Sequence, residues 1–306
     1  MCCLFGILDY GGMLSRKEKT KILSVLSVAC EERGTDATGI AYNTGGSLKV
    51  YKRPLPAHLL WFRIFEDTNV VMGHPRMTTQ GSERFNANNH PFAGQAGDTT
   101  FALAHNGVLS NDKRLRRQHN LPATRIETDS YIAVQLLEAS GELSFSSLAS
   151  MAEKLEGSFT ITVMTDDNSL YCVKGDNPFC LYHYDRLGVY IYASTEPILK
   201  SALKQLNMKL GKPTKIKVDC GEILKIDAEG RMSRSQFDDT NIFMGYSHWP
   251  RWCNVVPEVW EPATEQSYID DLKSVASYYG LWPEDIDEML ADGATPEEIE
   301  ELLHGG

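Results

Sequence analysis

The sequence predicts an α+β protein in which antiparallel β-sheets are stacked on each other and covered by helices. Three observations carry that expectation. Of the 306 residues, 42% are hydrophobic, enough for a sizeable core. Residues 157–195, GSFTITVMTDDNSLYCVKGDNPFCLYHYDRLGVYIYAST, alternate apolar with polar side chains. They are broken by Asp-Asn, Gly-Asp and Asp-Arg turns, the pattern of a multistranded antiparallel sheet. Elsewhere helical stretches fall between strands without a repeated βαβ unit, which argues for layers of sheet and helix over a parallel wound sheet.

Taken in order, LFGILDY (4–10) is a short apolar strand ended by Gly11 and Gly12. The following SRKEKTKILSVLSVACEERG reads as a helix with Ile22, Leu23, Val25, Leu26 and Ala29 on one face. Strands are expected at TGIAYN, SLKVYKR and NVVMGHPR. A loop rich in Gly, Asn and Pro spans roughly 80–98, long for a compact domain and therefore a functional candidate. FALAHNGVLSN runs from strand into turn, and TDSYIAVQLLEAS reads as a helix capped by Thr128. A helix near 196–206 and strands near 215–227 complete a body assigned to residues 2–230. Residues 231–265, with Trp249, Trp252 and Trp260 among prolines, read as an aromatic-anchored connector. Residues 266–306 read as an acidic helical tail whose last helix opens with Thr295, Pro296 and Glu298, a capping box.

The net charge of −11 is concentrated. Between Gln266 and Gly306 eleven acids face one base, Lys273, so the body is close to neutral. Lys and Arg form no sustained patch, and KRLRR (113–117) reads as an exposed helix face, which excludes nucleic acid as the expected partner. No apolar run is long enough to span a membrane and no signal peptide opens the chain, so the expected compartment is the cytoplasm. Seven scattered cysteines form neither a disulfide framework nor two CxxC pairs; reduced thiols and no metal are expected.

The chemistry starts at Cys2. A second residue that small lets the initiator methionine be trimmed, leaving a thiol beside a free α-amine. That amine, with an ordinary pKa of about 7.7–8.0, is partly neutral at cellular pH and can take the thiol proton. Read alone, Cys2 and Cys3 are small apolar residues of a first strand. Other segments supply the missing roles. In GHPRMTTQG (73–81) the planar fork of Arg76 suits a carboxylate, with the Thr79 hydroxyl nearby. In HNG (105–107) Asn106 offers an amide donor and Gly107 a backbone N–H open to close approach, the donors a tetrahedral oxyanion needs. In TDS (128–130) Asp129 can accept from an ammonium. Separately these are a surface ion pair, a turn and a helix-start carboxylate. Jointly they describe a ligand with a carboxylate, an ammonium and an attackable amide, as glutamine has.

The ordered set of Cys2, RGTDATGIA (33–41), GHPRMTTQG, NNHPF (88–92), AHNG (104–107) and TDS resembles the class II glutamine amidotransferase domain of the N-terminal nucleophile hydrolases. The resemblance covers residues 2 to about 230. It implies a four-layer αββα sandwich, with Cys2 as nucleophile and its amine as base. It implies Asn106 and Gly107 as the oxyanion hole, and Arg76, Thr79 and Asp129 as the grip on glutamine. Arg33, Asp36, His90 and His105 become supporting groups, and loop 80–92 becomes a lid that excludes water. No cofactor is implied. Four departures stand out: Cys3 replaces the family's usual glycine, Thr35 its usual proline, and Met77 and Gln80 stand where some relatives carry an aromatic and a histidine.

Relatives of this family usually fuse the glutaminase to a synthase that consumes the ammonia. The residues after 230 are too few for a sugar isomerase, phosphoribosyltransferase or ATP-dependent synthetase, and no GxxxxGK[ST] loop occurs. The expectation is a free-standing glutaminase that supplies ammonia to a separate synthase subunit; the acidic tail, with Leu281, Trp282, Ile286, Met289, Leu290, Ile299, Leu302 and Leu303, either docks that subunit or packs on its own body. Two other readings stay open: an amidohydrolase of another amide such as a γ-glutamyl conjugate, and a non-catalytic binding module.

Overall fold

In the computed structural model, which describes residues 2–206, 208–243, 269, 273, 283–296 and 298–299, strands and helices alternate irregularly. The order is β1 (Phe5–Asp9), α1 (Arg16–Ala29), β2 (Ala37–Thr44), β3 (Ser47–Arg53), β4 (Val70–Arg76), β5 (Phe92–Ala96), β6 (Thr99–Leu109), α2 (Asp112–Gln118), α3 (Tyr131–Ser140) and α4 (Phe145–Lys154). It continues with β7 (Gly157–Thr165), β8 (Leu170–Lys174), β9 (Cys180–Tyr184), β10 (Val189–Ala193), α5 (Glu196–Lys204), β11 (Thr214–Ile216), β12 (Glu222–Ile226), β13 (Met232–Gln236) and α6 (Pro283–Ala291). The chain divides into two compact units, one through Cys253 and one from Asn254.

In the first unit the strands form two antiparallel sheets, ordered β11-β9-β10-β1-β4-β2-β3 and β13-β12-β8-β7-β6-β5. Period-2 alternation sorts their side chains into layers. On β1, Phe5 and Ile7 face outward and pack with Ile22, Leu23, Leu26, Ile198 and Leu199 of α1 and α5. Leu4 and Leu8 face the other way, packing with Ala102, Ala104 and Met164 of the second sheet. Phe101 and Leu103 then meet Ile132, Leu137, Leu148 and Met151 of α3 and α4. Helix, sheet, sheet and helix therefore stack as the four-layer αββα sandwich. Each fully buried Leu, Ile or Phe contributes about 1.5–3 kcal/mol, so a one-residue slip of β1 is strongly disfavoured. Helix α1 is fixed at its start by a capping box: the Glu18 N–H donates to Ser15 Oγ at 3.3 Å and the Ser15 N–H to the Glu18 carboxylate at 2.9 Å.

The structure corrects the sequence at three places. Residues 92–96, assigned to the loop, form β5 against β6, because Gly94 leaves the space that the Phe101 ring and Val134 fill. Thr128 does not cap α3: the helix begins at Tyr131, and its N-cap position, Ser130, makes no side-chain cap bond. The sheet runs past 230, since Met232–Gln236 pairs along β12 within the stretch assigned to the connector. The KRLRR segment lies on α2 with Leu115 buried and Lys113, Arg114 and Arg117 exposed. Trp249, Trp252 and Trp260 lie outside the described residues.

In the second unit Ile286 and Ile299 are buried together, with Met289 and Leu290 packed against them. The Thr295 N–H donates to Glu298 at 2.9 Å and the Glu298 N–H to Thr295 Oγ1 at 3.3 Å, the reciprocal bonds of a capping box. No helix among the described residues is long and apolar enough to cross a membrane.

Candidate active site

The register that builds the first sheet also gathers the motifs. The N-terminal end of β1 lies beside the C-terminal end of β4, and Arg76 pairs with Ala37 at the start of β2. Cys2, just before β1, therefore sits among Arg76, Met77 and the turn 33–36. By alternation Cys2 shares the inter-sheet side with Leu4 and Leu8. Cys3 falls on the other side, fully buried with Cys30 in the α1 layer. The side chain at the family's usual glycine position consequently leaves the site uncrowded.

Cys2 is partly exposed; its Sγ lies 3.4 Å from both the Met77 carbonyl and the Met77 N–H. Desolvation pushes the Cys2 thiol up, against the pull of the Met77 backbone and Arg76. A thiol so placed needs a base. Arg33 Nε donates to the Cys2 carbonyl at 3.0 Å, fixing the backbone that carries the thiol. Asp36 accepts from the Thr78 N–H at 2.6 Å and sends its own N–H to the Arg76 carbonyl at 3.0 Å, which holds the turn after β4. Gly34 is crowded against this turn: a Cβ there would stand 2.5 Å from the Arg76 carbonyl carbon.

A narrow cleft is lined by Cys2, Arg76, Met77, Thr79, Gln80, His90, His105, Gly107, Thr128, Asp129 and Ser130. Arg33 and Asp36 stand behind it as supports. Arg76, almost wholly buried, donates through Nη1 to Asn89 Oδ1 at 2.8 Å and through Nη2 to the carbonyls of Gln80 and Gly81 at 2.5 and 2.8 Å. Its guanidinium thus ties the two ends of the 80–89 segment together as well as facing the cleft. Asp129 is buried; Oδ2 accepts from the Leu109 N–H at 2.6 Å and Oδ1 from Ser130 Oγ at 3.3 Å.

Asn106, between the cleft-lining His105 and Gly107 on β6, is fully buried, and neither its Oδ1 nor its Nδ2 has a hydrogen-bond partner among the described residues. Leaving such an amide unpaired costs about 1–3 kcal/mol, so it marks a group held for something other than stability. Beside it Gly107, at φ +144°, passes so close to β7 that a Cβ would lie 1.9 Å from the Ser158 carbonyl oxygen. Only glycine fits there.

Sequence reasoning did not single out His74, although it lies inside the GHPR motif. His74 Nε2 lies 2.9 Å from the His105 carbonyl, and its ring stacks on His90 at 4.2 Å. The His105 N–H donates to His90 Nδ1 at 3.2 Å, and His105 Nδ1 lies 2.7 Å from Ser130 Oγ. A carbonyl only accepts and an N–H only donates, so His74 and His90 both carry their proton on Nε2. Burial pushes all three imidazoles down, His74 to about 3. Because the unfolded imidazole titrates near 6.5, the unfolded chain binds more protons between about pH 6.5 and 3, and stability falls as pH drops through that window. His74 alone is expected to remove about 2 kcal/mol by pH 5. Urea unfolding of wild type and His74→Phe at pH 7 and pH 5 checks this; an equal pH dependence in the two proteins would contradict it.

Two stacked antiparallel sheets between helices, with Cys2 just before a central strand and lining one cleft with Gly107, have the architecture of the N-terminal nucleophile hydrolase fold. Residues 74–201 match a family model described as a glutamine amidotransferase domain. Over that segment the chain is similar to glutamine amidotransferase domains. It is 29% identical over 266 residues to the glutamine–fructose-6-phosphate aminotransferase (isomerizing) of Chlamydia muridarum, covering 78% of this chain and 41% of that protein. It is 31% identical over 202 residues to the enzyme of the same name from Halalkalibacterium halodurans, covering 62% of this chain and 32% of that protein. The chain thus matches less than half the length of these relatives. The fold matches that of glutamine phosphoribosylpyrophosphate amidotransferase from B. subtilis with a TM-score of 0.62 at 21% identity, over 79% of this chain and 50% of that one.

Proposed function

We propose that this protein hydrolyses the side-chain amide of glutamine to glutamate and ammonia through a thioester on Cys2. The single observation that most supports this is the buried Asn106 amide, unpartnered among the described residues and next to Gly107, which lines a cleft with Cys2. In this reading Met1 is removed and the Cys2 amine takes the thiol proton. The thiolate attacks the δ-amide carbon, and Asn106 Nδ2 and the Gly107 N–H receive the developing oxyanion. The leaving nitrogen takes a proton and departs as ammonia; water then attacks the thioester, releasing glutamate and restoring the thiol. Arg76 and Thr79 hold the substrate carboxylate and Asp129 its ammonium.

The ammonia passes to an acceptor, which we place on a separate synthase subunit docked by the acidic tail. The tail's local excess of eleven acids over one base supports a basic surface on that subunit.

The test is glutamate release from glutamine by the purified protein across pH. With the histidines held neutral, the acid limb belongs to the α-amine: kcat/KM is expected to fall about tenfold per pH unit below about pH 7 and to level above about pH 8. An acid limb set near 6.5 and moved by His90→Asn would contradict the amine as base.

A further inference from the structure

The alternation of SLKVYKR makes Lys52 look like an ordinary solvent-facing residue of an edge strand, yet it is partly buried. Nζ donates to the carbonyl of Asn89 at 2.5 Å and to that of Pro91 at 3.2 Å, one on each side of His90. It stands 4.9 Å over the Phe92 ring, and the Lys52 carbonyl accepts from Asn86 Nδ2 at 2.7 Å. The segment after β4 is therefore held by two cations: Arg76 ties Gln80 and Gly81 to Asn89, and Lys52 ties Asn89 and Pro91 to β3.

Among the described residues no acid pairs with this charge. The bonds of Lys52 go to neutral carbonyls, and the charge acting on it is the like-charged Arg76; burial and that repulsion bring its ammonium down to about 8. Lysines taken out of water are commonly paired with acids, and an apolar side chain of similar length costs the fold less. A cation kept here against that cost has its return in the segment it grips.

We propose that Lys52 is a positioning residue that holds segment 80–92 over the cleft and so sets the affinity for substrate. It acts through His90, which lines the cleft and stands between the two carbonyls it holds, and through Asn89, which receives Arg76. The kinetic part of this inference rests on the glutaminase reading above; the structural part does not.

The test compares Lys52→Met and Lys52→Arg with wild type by amide hydrogen exchange and by steady-state kinetics. The reporting amides are those of Phe85, Asn88 and Asn89, which bond within the segment to the carbonyls of Ser82, Phe85 and Asn86. In Lys52→Met their protection is expected to fall about tenfold while β6 and β7 keep theirs, and the melting temperature is not lowered. KM for glutamine is expected to rise about tenfold with a smaller fall in kcat. Lys52→Arg, which keeps a cation and donors, is expected to restore most of both. Unchanged segment protection in Lys52→Met would overturn the proposal, as would protection lost equally across β6 and β7, the mark of a general structural role. A wild-type protein without Cys2-dependent glutamate release would defeat the glutaminase reading, and hydrogen exchange would still decide the role of Lys52.

Discussion

Cys2→Ala is expected to abolish glutamate release, by at least about 10⁴-fold, while leaving the fold intact. The loss is chemical: alanine cannot form the thioester, and no other described cysteine lines the cleft. The fold survives because Cys2 is partly exposed and its side chain contacts only the Met77 backbone, so stability should move by about 0.5 kcal/mol or less. The neighbouring substitution should do the reverse. Cys3 is fully buried in the α1 layer, so Cys3→Ala is expected to cost about 1 kcal/mol of stability and to keep most of the turnover. Glutamate assays and urea unfolding of the two variants side by side check the contrast. Equal losses of activity would mean that the one-residue alternation does not decide which thiol reacts.

Asn106→Ala is expected to lower kcat about 10²–10³-fold with little change in KM, since an oxyanion donor acts on charge that develops only in the transition state. The structure adds a second arm to this prediction. Both polar atoms of Asn106 are buried without partners, so Asn106→Leu removes an uncompensated amide and keeps the volume. Stability should then stay level or rise even as activity collapses. Activity within about threefold of wild type would remove Asn106 from the oxyanion site. A clear loss of stability in Asn106→Leu would show that the amide is paired after all.

The layers were legible because period-2 alternation is strong through β7–β10 and β1 reads as a short apolar strand, buried on both faces between named neighbours. The strand β5 was hidden because its Gly94 and Gln95 carry turn-like composition; its place depends on the Phe101 ring from the next strand. Of the site, Cys2, Arg76, Thr79, His90, His105, Gly107 and Asp129 were named from sequence and meet at one cleft, with Asn106 beside it. The two residues that escaped are informative. His74 sits in an apolar strand, where a histidine reads as filler, and its role depends on His90 arriving from the segment before β5 and His105 from β6. Lys52 sits in a strand whose polar alternation reads as solvated; only the return of residues 89–92 beside it makes it a half-buried cation.

The most direct measurement is the intact mass of the protein quenched in acid during turnover with glutamine, followed by fragment mapping. The account predicts a chain lacking Met1 that carries a γ-glutamyl adduct on Cys2, absent from Cys2→Ala. An adduct on another residue, or steady glutamate release from a chain that keeps Met1, would contradict it.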